Sequence, residues 1–153
     1  MYPGTILIAD DDRVFTELLR TKLCEKGFQV LVAFDAMQAM MAAVKWVPDA
    51  ILLDVKMPGG TGIAAIRHLK SSNQTSAIPI IAVSALETPT LPRLLKRLGA
   101  IAFLPKPVNF KTVFKMIRML LPDQPERPAA SVSVIPRIDG AGGKSESLIV
   151  SQG

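Results

Sequence analysis

The sequence AILLDVKMPGGTG, residues 50–62, decides the fold of this 153-residue chain. Its first four residues are apolar and have the composition of a strand buried on both faces. Asp54 ends that run, and the turn-forming residues after Lys56 cannot continue the strand. The stretch therefore predicts that Asp54 lies at the carboxyl end of a central strand, where ligands bind in open α/β sheets. Taken alone, Asp54 could equally be a turn former or a helix cap.

The rest of the chain alternates apolar runs with amphipathic segments. Strands are predicted at residues 5–9, 28–34, 50–54, 78–83 and 101–104, and helices at residues 14–26, 36–46, 63–70, 91–98 and 110–121. Asp12, Asp35 and Asn109 are predicted helix caps, and Gly27 is a C-terminal stop signal. Short connections between alternating strands and helices indicate one doubly wound α/β domain, with five parallel strands and helices on both faces.

The composition changes after Leu121. Residues 122–153 are rich in Pro, Gly and Ser, so we expect a domain over residues 1–121 and a disordered tail over 122–153. No apolar run approaches the roughly 20 residues of a membrane span, so we expect no membrane insertion. Cys24 is the only cysteine, which excludes an internal disulfide and fits a reducing cytoplasm.

The positive charge is concentrated in the predicted domain. Residues 1–122 carry 15 Lys and Arg against 9 Asp and Glu, whereas residues 123–153 carry 3 against 4. A basic domain permits either nucleic acid or an acidic protein as partner, and the charge alone does not choose between them.

Polar residues follow four of the predicted strands. Asp10 and Asp11 follow the first, Asp54 ends the third, Ser84 follows the fourth and Lys106 follows the fifth. The carboxyl ends of parallel strands meet at one edge, where three carboxylates repel one another unless a cation joins them. Mg²⁺ prefers such oxygen ligands, and a lysine with a hydroxyl suits a tetrahedral anion. The residues alone therefore predict a magnesium-dependent phosphoryl site with a carboxylate as possible acceptor.

These residues make the sequence resemble the receiver domains of two-component response regulators, over residues 4–121. Asp54 and Ser84 are 30 residues apart, and Ser84 and Lys106 are 22 apart, spacings typical of that family. Five features match in order: the acidic pair Asp10-Asp11, Asp54 within LLDVKMPGGTG, Ser84-Ala85, the aromatic Phe103, and Lys106-Pro107.

The resemblance implies a flavodoxin-like sheet of strand order 2-1-3-4-5 and a phosphoacceptor role for Asp54. The phosphoryl group would come from a histidine kinase or a histidine phosphotransfer protein. Asp11, Asp54 and the main-chain carbonyl of Lys56 would bind Mg²⁺, with Asp10 helping through water. Such a protein catalyses only its own phosphorylation and dephosphorylation and is otherwise no enzyme.

The resemblance also implies a switch. Ser84 would bind the phosphoryl oxygens, with the small Ala85 leaving access, and Phe103 would turn inward as Ser84 moves. Lys106 would pair with the acyl phosphate, and its peptide bond to Pro107 would be cis.

The same family pattern places the output surface on the fourth helix, fifth strand and fifth helix. Cations on both helices suggest an acidic protein partner, although a merely solvated face is the slightly favoured interpretation of the charges. The tail is too short for a DNA-binding output domain, so we do not expect DNA binding. The alternative to a stand-alone phosphorylated regulator is a receiver-like scaffold or nucleic-acid-binding module that acts without phosphorylation.

Two further comparisons with family patterns refine these expectations. One alternative function is an enzyme that forms a phosphoaspartate during turnover, such as a phosphatase of the haloacid dehalogenase type. That class requires a second aspartate two positions after its nucleophile, and here Lys56 stands there.

Phe103 replaces the tyrosine that is more frequent in receiver domains and offers no hydroxyl. Lys56 and Leu86 occupy variable positions beside the site, and the apolar Leu86 cannot orient an attacking water. We therefore expect a long-lived phosphoaspartate.

Overall fold

The computed structural model describes residues 3–57, 61–85 and 88–121, together with the backbone of 137–138 and 144–145. Strands and helices alternate through the first 120 residues. The strands are β1 (Thr5–Ala9), β2 (Gln29–Ala33), β3 (Ala50–Asp54), β4 (Ile80–Ser84) and β5 (Ala102–Pro105). The helices are α1 (Arg13–Glu25), α2 (Ala36–Trp46), α3 (Gly62–Ser71), α4 (Leu91–Leu98) and α5 (Phe110–Leu120).

The five strands form one parallel sheet in the order β2-β1-β3-β4-β5. This confirms the predicted doubly wound fold and the strand order 2-1-3-4-5. The central strand β3 is buried along its whole length, as its apolar sequence predicts. Asp54 is its last residue and so reaches the carboxyl edge of the sheet.

The sheet separates two apolar layers. On one face, side chains of α2, α3 and α4 pack against inward residues such as Leu7, Ile51 and Leu53. On the other face, α1 and α5 pack against the alternate strand residues, among them Ile8 and Leu52. Because successive strand residues point to opposite faces, one continuous apolar run serves both layers.

Local sequence signals set most of the element ends. The side chains of Asp12, Asp35 and Asn109 accept hydrogen bonds from the first turns of α1, α2 and α5, which confirms the three predicted caps. Thr61 caps α3 in the same way. Gly27 has a φ of 91° just after α1, the left-handed conformation that glycine adopts readily.

Three strands differ slightly from their predicted bounds. The second is one residue shorter at each end, over Gln29–Ala33 instead of 28–34. The fourth begins at Ile80 rather than Ile78, because Pro79 has no N–H to contribute to the sheet, although its carbonyl accepts from Ile51 N at 3.0 Å. The fifth extends to Pro105, since the N–H of Lys106 donates to the Ser84 carbonyl at 2.9 Å and continues the pairing with β4.

Two short strands, β6 (Arg137–Ile138) and β7 (Lys144–Ser145), pair antiparallel within the predicted tail. The other residues of 122–153 lie outside the described residues, so disorder of the tail remains a prediction. Pro58–Gly60 and Leu86–Glu87 also lie outside them. Among the described parts of the chain, no helix has the length and apolar character required to cross a membrane.

Candidate functional site

Three carboxylates meet at the carboxyl edge of the sheet. Asp10 follows β1 and Asp54 ends the neighbouring β3, with Ala9 and Leu53 paired in register just before them. One side-chain oxygen from each of Asp10, Asp11 and Asp54 lies within 4.8 Å of the others. Asp10 and Asp54 are buried, whereas Asp11 is exposed. This arrangement offers hard oxygen ligands on two buried side chains and one open to solvent.

Backbone N–H groups orient the two buried carboxylates. Asp10 Oδ1 accepts a hydrogen bond of 2.9 Å from the N–H of Asp12, and Asp54 Oδ1 accepts one of 3.1 Å from the N–H of Lys56. Each bond spans two residues, the local turn that aspartate forms readily at the end of a strand. The bonds engage one oxygen of each carboxylate and leave the two Oδ2 atoms for other partners.

Lys106 brings a positive charge to both Oδ2 atoms. It follows β5, and its peptide bond to Pro107 is cis. Its Nζ lies 2.7 Å from Asp10 Oδ2 and 3.4 Å from Asp54 Oδ2. The shorter contact is an ion pair without the alignment of a hydrogen bond. Asp10 Oδ2 is buried and accepts no hydrogen bond from the described residues.

Burial and charge shift two pKa values at the site. Burial raises the pKa of Asp54 and the Asp10 carboxylate raises it further, against the opposing effects of the Lys56 N–H and Lys106. Burial by itself would lower the pKa of Lys106, but Asp10 and Asp54 outweigh it and raise that pKa. Two of the three clustered carboxylates thus face one ammonium group, and the excess negative charge of the cluster favours a further cation.

Ser84 lies at the same edge as the carboxylates. It is the last residue of β4 and is buried, one position beyond Val83, which pairs with Asp54. Ala85 follows it and is exposed. Phe103 lies within β5, partly buried, and packs against the layer formed by α2, α3 and α4. The structure thus gathers Asp10, Asp11, Asp54 and Lys106 in direct proximity, with Ser84 on the adjoining strand.

Two further residues, Lys56 and Leu86, were expected to contribute to the site. Lys56 is exposed, and its N–H already donates to Asp54. Leu86 lies outside the described residues, so its expected effect on the lifetime of a phosphoaspartate remains a prediction.

Two residues of the site, Phe15 and Gly62, were not predicted from the sequence. The ring of Phe15 in α1 lies 5.1 Å from Lys106 Nζ, centroid to nitrogen. At Gly62 an added Cβ would collide with the carbonyl oxygen of Asp54 and with Val55 Cα. Phe15 looked like an ordinary apolar helix residue, and only its place in the first turn after Asp10 to Asp12 could have located it at this edge.

Known proteins share this architecture. The chain is 42% identical over 117 residues to the transcriptional regulatory protein CpxR of Klebsiella pneumoniae, covering 76% of this chain and 48% of that protein. It thus spans about half the length of that relative. It is 38% identical over 116 residues to Protein PilH of Pseudomonas aeruginosa, covering 76% of this chain and 96% of PilH.

Solved structures and a known family agree with these relatives. The chemotaxis response regulator CheY4 of Vibrio cholerae superposes with a TM-score of 0.72 at 28% identity, covering 77% of this chain and 98% of CheY4. The family described as "Response regulator receiver domain" matches residues 6–118, from within β1 to within α5. With its parallel sheet and its acidic edge, this chain belongs to the response regulator receiver domain family of two-component systems.

Proposed function

We propose that this receiver domain is a phosphorylation-operated switch in which Asp54 accepts the phosphoryl group. The observation that carries the proposal is the position of Asp54, a buried carboxylate beside Asp10 and Asp11 whose Oδ2 faces the Lys106 ammonium at 3.4 Å. The donor would be the phosphohistidine of a histidine kinase or phosphotransfer protein, the partners with which receiver domains work.

The transfer exchanges one bond to phosphorus for another. A carboxylate oxygen of Asp54 forms the new P–O bond, the P–N bond of the donor breaks, and the bonding pair leaves with the imidazole. Lys106 would offset the charge on the phosphoryl oxygens, because its ammonium already lies between the two buried aspartates. The Ser84 hydroxyl, at the same edge, would donate to a phosphoryl oxygen.

The donor set of the site fits Mg²⁺. Asp11 and Asp54 would bind the ion together with the main-chain carbonyl of Lys56, and Asp10 would assist through water. The buried Asp10 Oδ2, which accepts no hydrogen bond from the described residues, is an oxygen that such an ion and its water would serve. When bound, the ion neutralises charge on the reacting oxygens.

The switch follows from a shift between two conformations. The acyl phosphate would favour the state in which Ser84 has moved toward it and Phe103 has turned inward. Moving such an equilibrium from 1:99 to 99:1 requires about 5.5 kcal/mol of differential stabilisation. Phe103 suits this role because it is only partly buried, on the strand next to Ser84.

The output surface would be the face formed by α4, β5 and α5. Six cations are exposed on these two helices: Arg93, Lys96, Arg97, Lys111, Lys115 and Arg118. They would dock an acidic surface on a downstream protein, since complementary charge steers and orients association. The same proposal places the protein in the cytoplasm, which the single cysteine Cys24 permits.

Intact mass tests the acceptor directly. The full chain is incubated with acetyl phosphate, with and without Mg²⁺, as wild type and as Asp54→Ala. We expect the wild type to gain about 80 Da, one phosphoryl group, only in the presence of Mg²⁺, and the variant to gain nothing. Asp35→Ala is the matched control, since Asp35 caps α2 instead of facing Lys106.

Two results would overturn the proposal. A gain of mass in Asp54→Ala would place the phosphoryl group on another residue. No gain in the wild type with any donor would favour a receiver-like scaffold that acts without phosphorylation. Its cationic face would then be tested for salt-dependent binding to DNA.

A further inference from the structure

Phe15 lies against the lysine of the site. It is the third residue of α1, and its N–H donates to Asp12 Oδ1 at 3.0 Å, which fixes the first turn of the helix at the acidic edge. The ring is partly buried and packs against the apolar layer beneath α1 and α5. Its position is therefore set by both the helix cap and the core.

The Lys106 ammonium is enclosed by three groups. Asp10 Oδ2 and Asp54 Oδ2 lie at 2.7 and 3.4 Å, and the centroid of the Phe15 ring lies at 5.1 Å. A cation within about 6 Å of a ring centroid is attracted to the negative face of the ring. The long stem of lysine has many rotamers, so a ring beside its ammonium limits where the charge can go.

We infer that Phe15 is a positioning residue for phosphoryl transfer, acting through Lys106. This inference rests on the proposed function, because Lys106 is taken to offset the charge of the transferred group. The aromatic ring keeps the ammonium directed at Asp54 when the charge on that carboxylate changes. A leucine of similar bulk would fill the apolar space but would lack the ring face.

Rate measurements separate this role from simple packing. The full chain is phosphorylated over a range of acetyl phosphate and Mg²⁺ concentrations, as wild type, Phe15→Leu and Phe15→Tyr. We expect Phe15→Leu to lower the maximal rate roughly 2- to 5-fold, the scale of one cation–π contact. The half-saturating concentrations of Mg²⁺ and acetyl phosphate should stay unchanged, and Phe15→Tyr, which keeps the ring, should restore the rate.

The chain offers a matched control. Lys26 Nζ lies 5.6 Å from the ring centroid of Phe114, a pair of the same kind whose lysine caps α1 at the end opposite to the acidic edge. Phe114→Leu should therefore leave the phosphorylation rate unchanged. In a Lys106→Met background, Phe15→Leu should cause no further loss, because the group through which it acts is absent.

A spectroscopic measurement tests the contact without phosphorylation. The ring should shift the ε-methylene proton resonance of Lys106 upfield in the wild type and Phe15→Tyr, and the shift should vanish in Phe15→Leu. A missing shift in the wild type would overturn the contact.

The rates decide the remaining outcomes. If the wild type is phosphorylated and Phe15→Leu reacts at the same rate, the role of Phe15 is overturned and the proposed function stands. The same conclusion follows if Phe15→Leu lowers the rate just as much in the Lys106→Met background. A wild type that is never phosphorylated would overturn the proposed function and this role together.

Discussion

The carboxyl end of β3 and the end of α2 both hold unfavourable arrangements, but of different kinds. At β3, burial raises the pKa of Asp54, and the backbone passes so close to Gly62 that no Cβ would fit there. At α2, Val47 adopts a φ of 43°, the left-handed region that a β-branched residue rarely enters. Asp54 is buried, whereas Val47 is half exposed.

The two arrangements differ in whether a bound ligand can offset their cost. A cation at the acidic edge would offset the burial of the Asp54 charge, whereas Val47 is not among the residues of that site. The charge on Asp54 is unfavourable in the absence of a further cation, and a bound cation stabilises it. Val47 donates its N–H to the Ala43 carbonyl as an ordinary helix end does, and nothing in the structure explains its valine. A substitution that relieves the burial of charge at Asp54 should therefore remove phosphorylation. A substitution that relieves the backbone strain at Val47 should not.

Replacing Gly62 tests the close approach at β3 and should have the largest effect. Helix propensity alone favours alanine over glycine at this position in α3. The added Cβ would, however, collide with main-chain atoms of Asp54 and Val55, which cannot move aside as a flexible side chain would. We expect Gly62→Ala to lower the free energy of unfolding by about 1–3 kcal/mol, measured by urea denaturation.

Ala64 provides the control for this change. It is exposed on the same helix, so Ala64→Gly should cost only about 1 kcal/mol, the difference in helix propensity. If Gly62→Ala proved more stable than the wild type, propensity would govern this position and the close approach would be without consequence.

Replacing Asp54 should change stability in the opposite direction. Asp54→Asn removes a buried charge while keeping the shape of the side chain, so the metal-free protein should gain about 1–2 kcal/mol. The folded-state pKa of Asp54 lies above its ordinary value. The folded state therefore binds the proton more tightly, and wild-type stability falls as the pH rises through the folded-state pKa.

The pH dependence of the Asp54→Asn difference checks this sign. The gain should be small below the unfolded pKa and complete above the raised folded pKa, measured by urea denaturation with a chelator present. Asp12→Asn is the control, because Asn and Asp cap helices about equally well. A destabilised Asp54→Asn protein at neutral pH would show that the Lys106 ion pair outweighs the burial of the charge.

The sequence was sufficient for features that depend on local pattern. The strand over Ala50 to Asp54, the helix over Ala36 to Trp46 and the caps at Asp12 and Asn109 are all as predicted, since apolar period and capping chemistry act over a few residues. The convergence of Asp10, Asp54 and Lys106 was also predictable, because parallel strands share a carboxyl edge.

Features that depend on packing between distant segments were not predictable. The contact of Phe15 with Lys106 joins the first turn of α1 to the end of β5, and no spacing rule connects them. The close approach at Gly62 arises where α3 returns over β3, so its glycine looked like one more turn residue. The left-handed Val47 contradicts its own residue preference, so local reasoning could only miss it.

Replacing Val47 should give the smallest effect and the sharpest test of the comparison. Asparagine tolerates the left-handed conformation that costs other residues roughly 1–2 kcal/mol. We therefore expect Val47→Asn to raise the free energy of unfolding by about 1 kcal/mol, and the melting temperature by roughly 3–6 °C. Val44→Asn, at a similarly exposed valine inside α2, should give no gain in stability, because valine and asparagine have nearly equal helix propensity.

The phosphorylation rate of Val47→Asn should match that of the wild type. A slower rate would show that the strain at α2 is coupled to the site, and the contrast between the two regions would then fail.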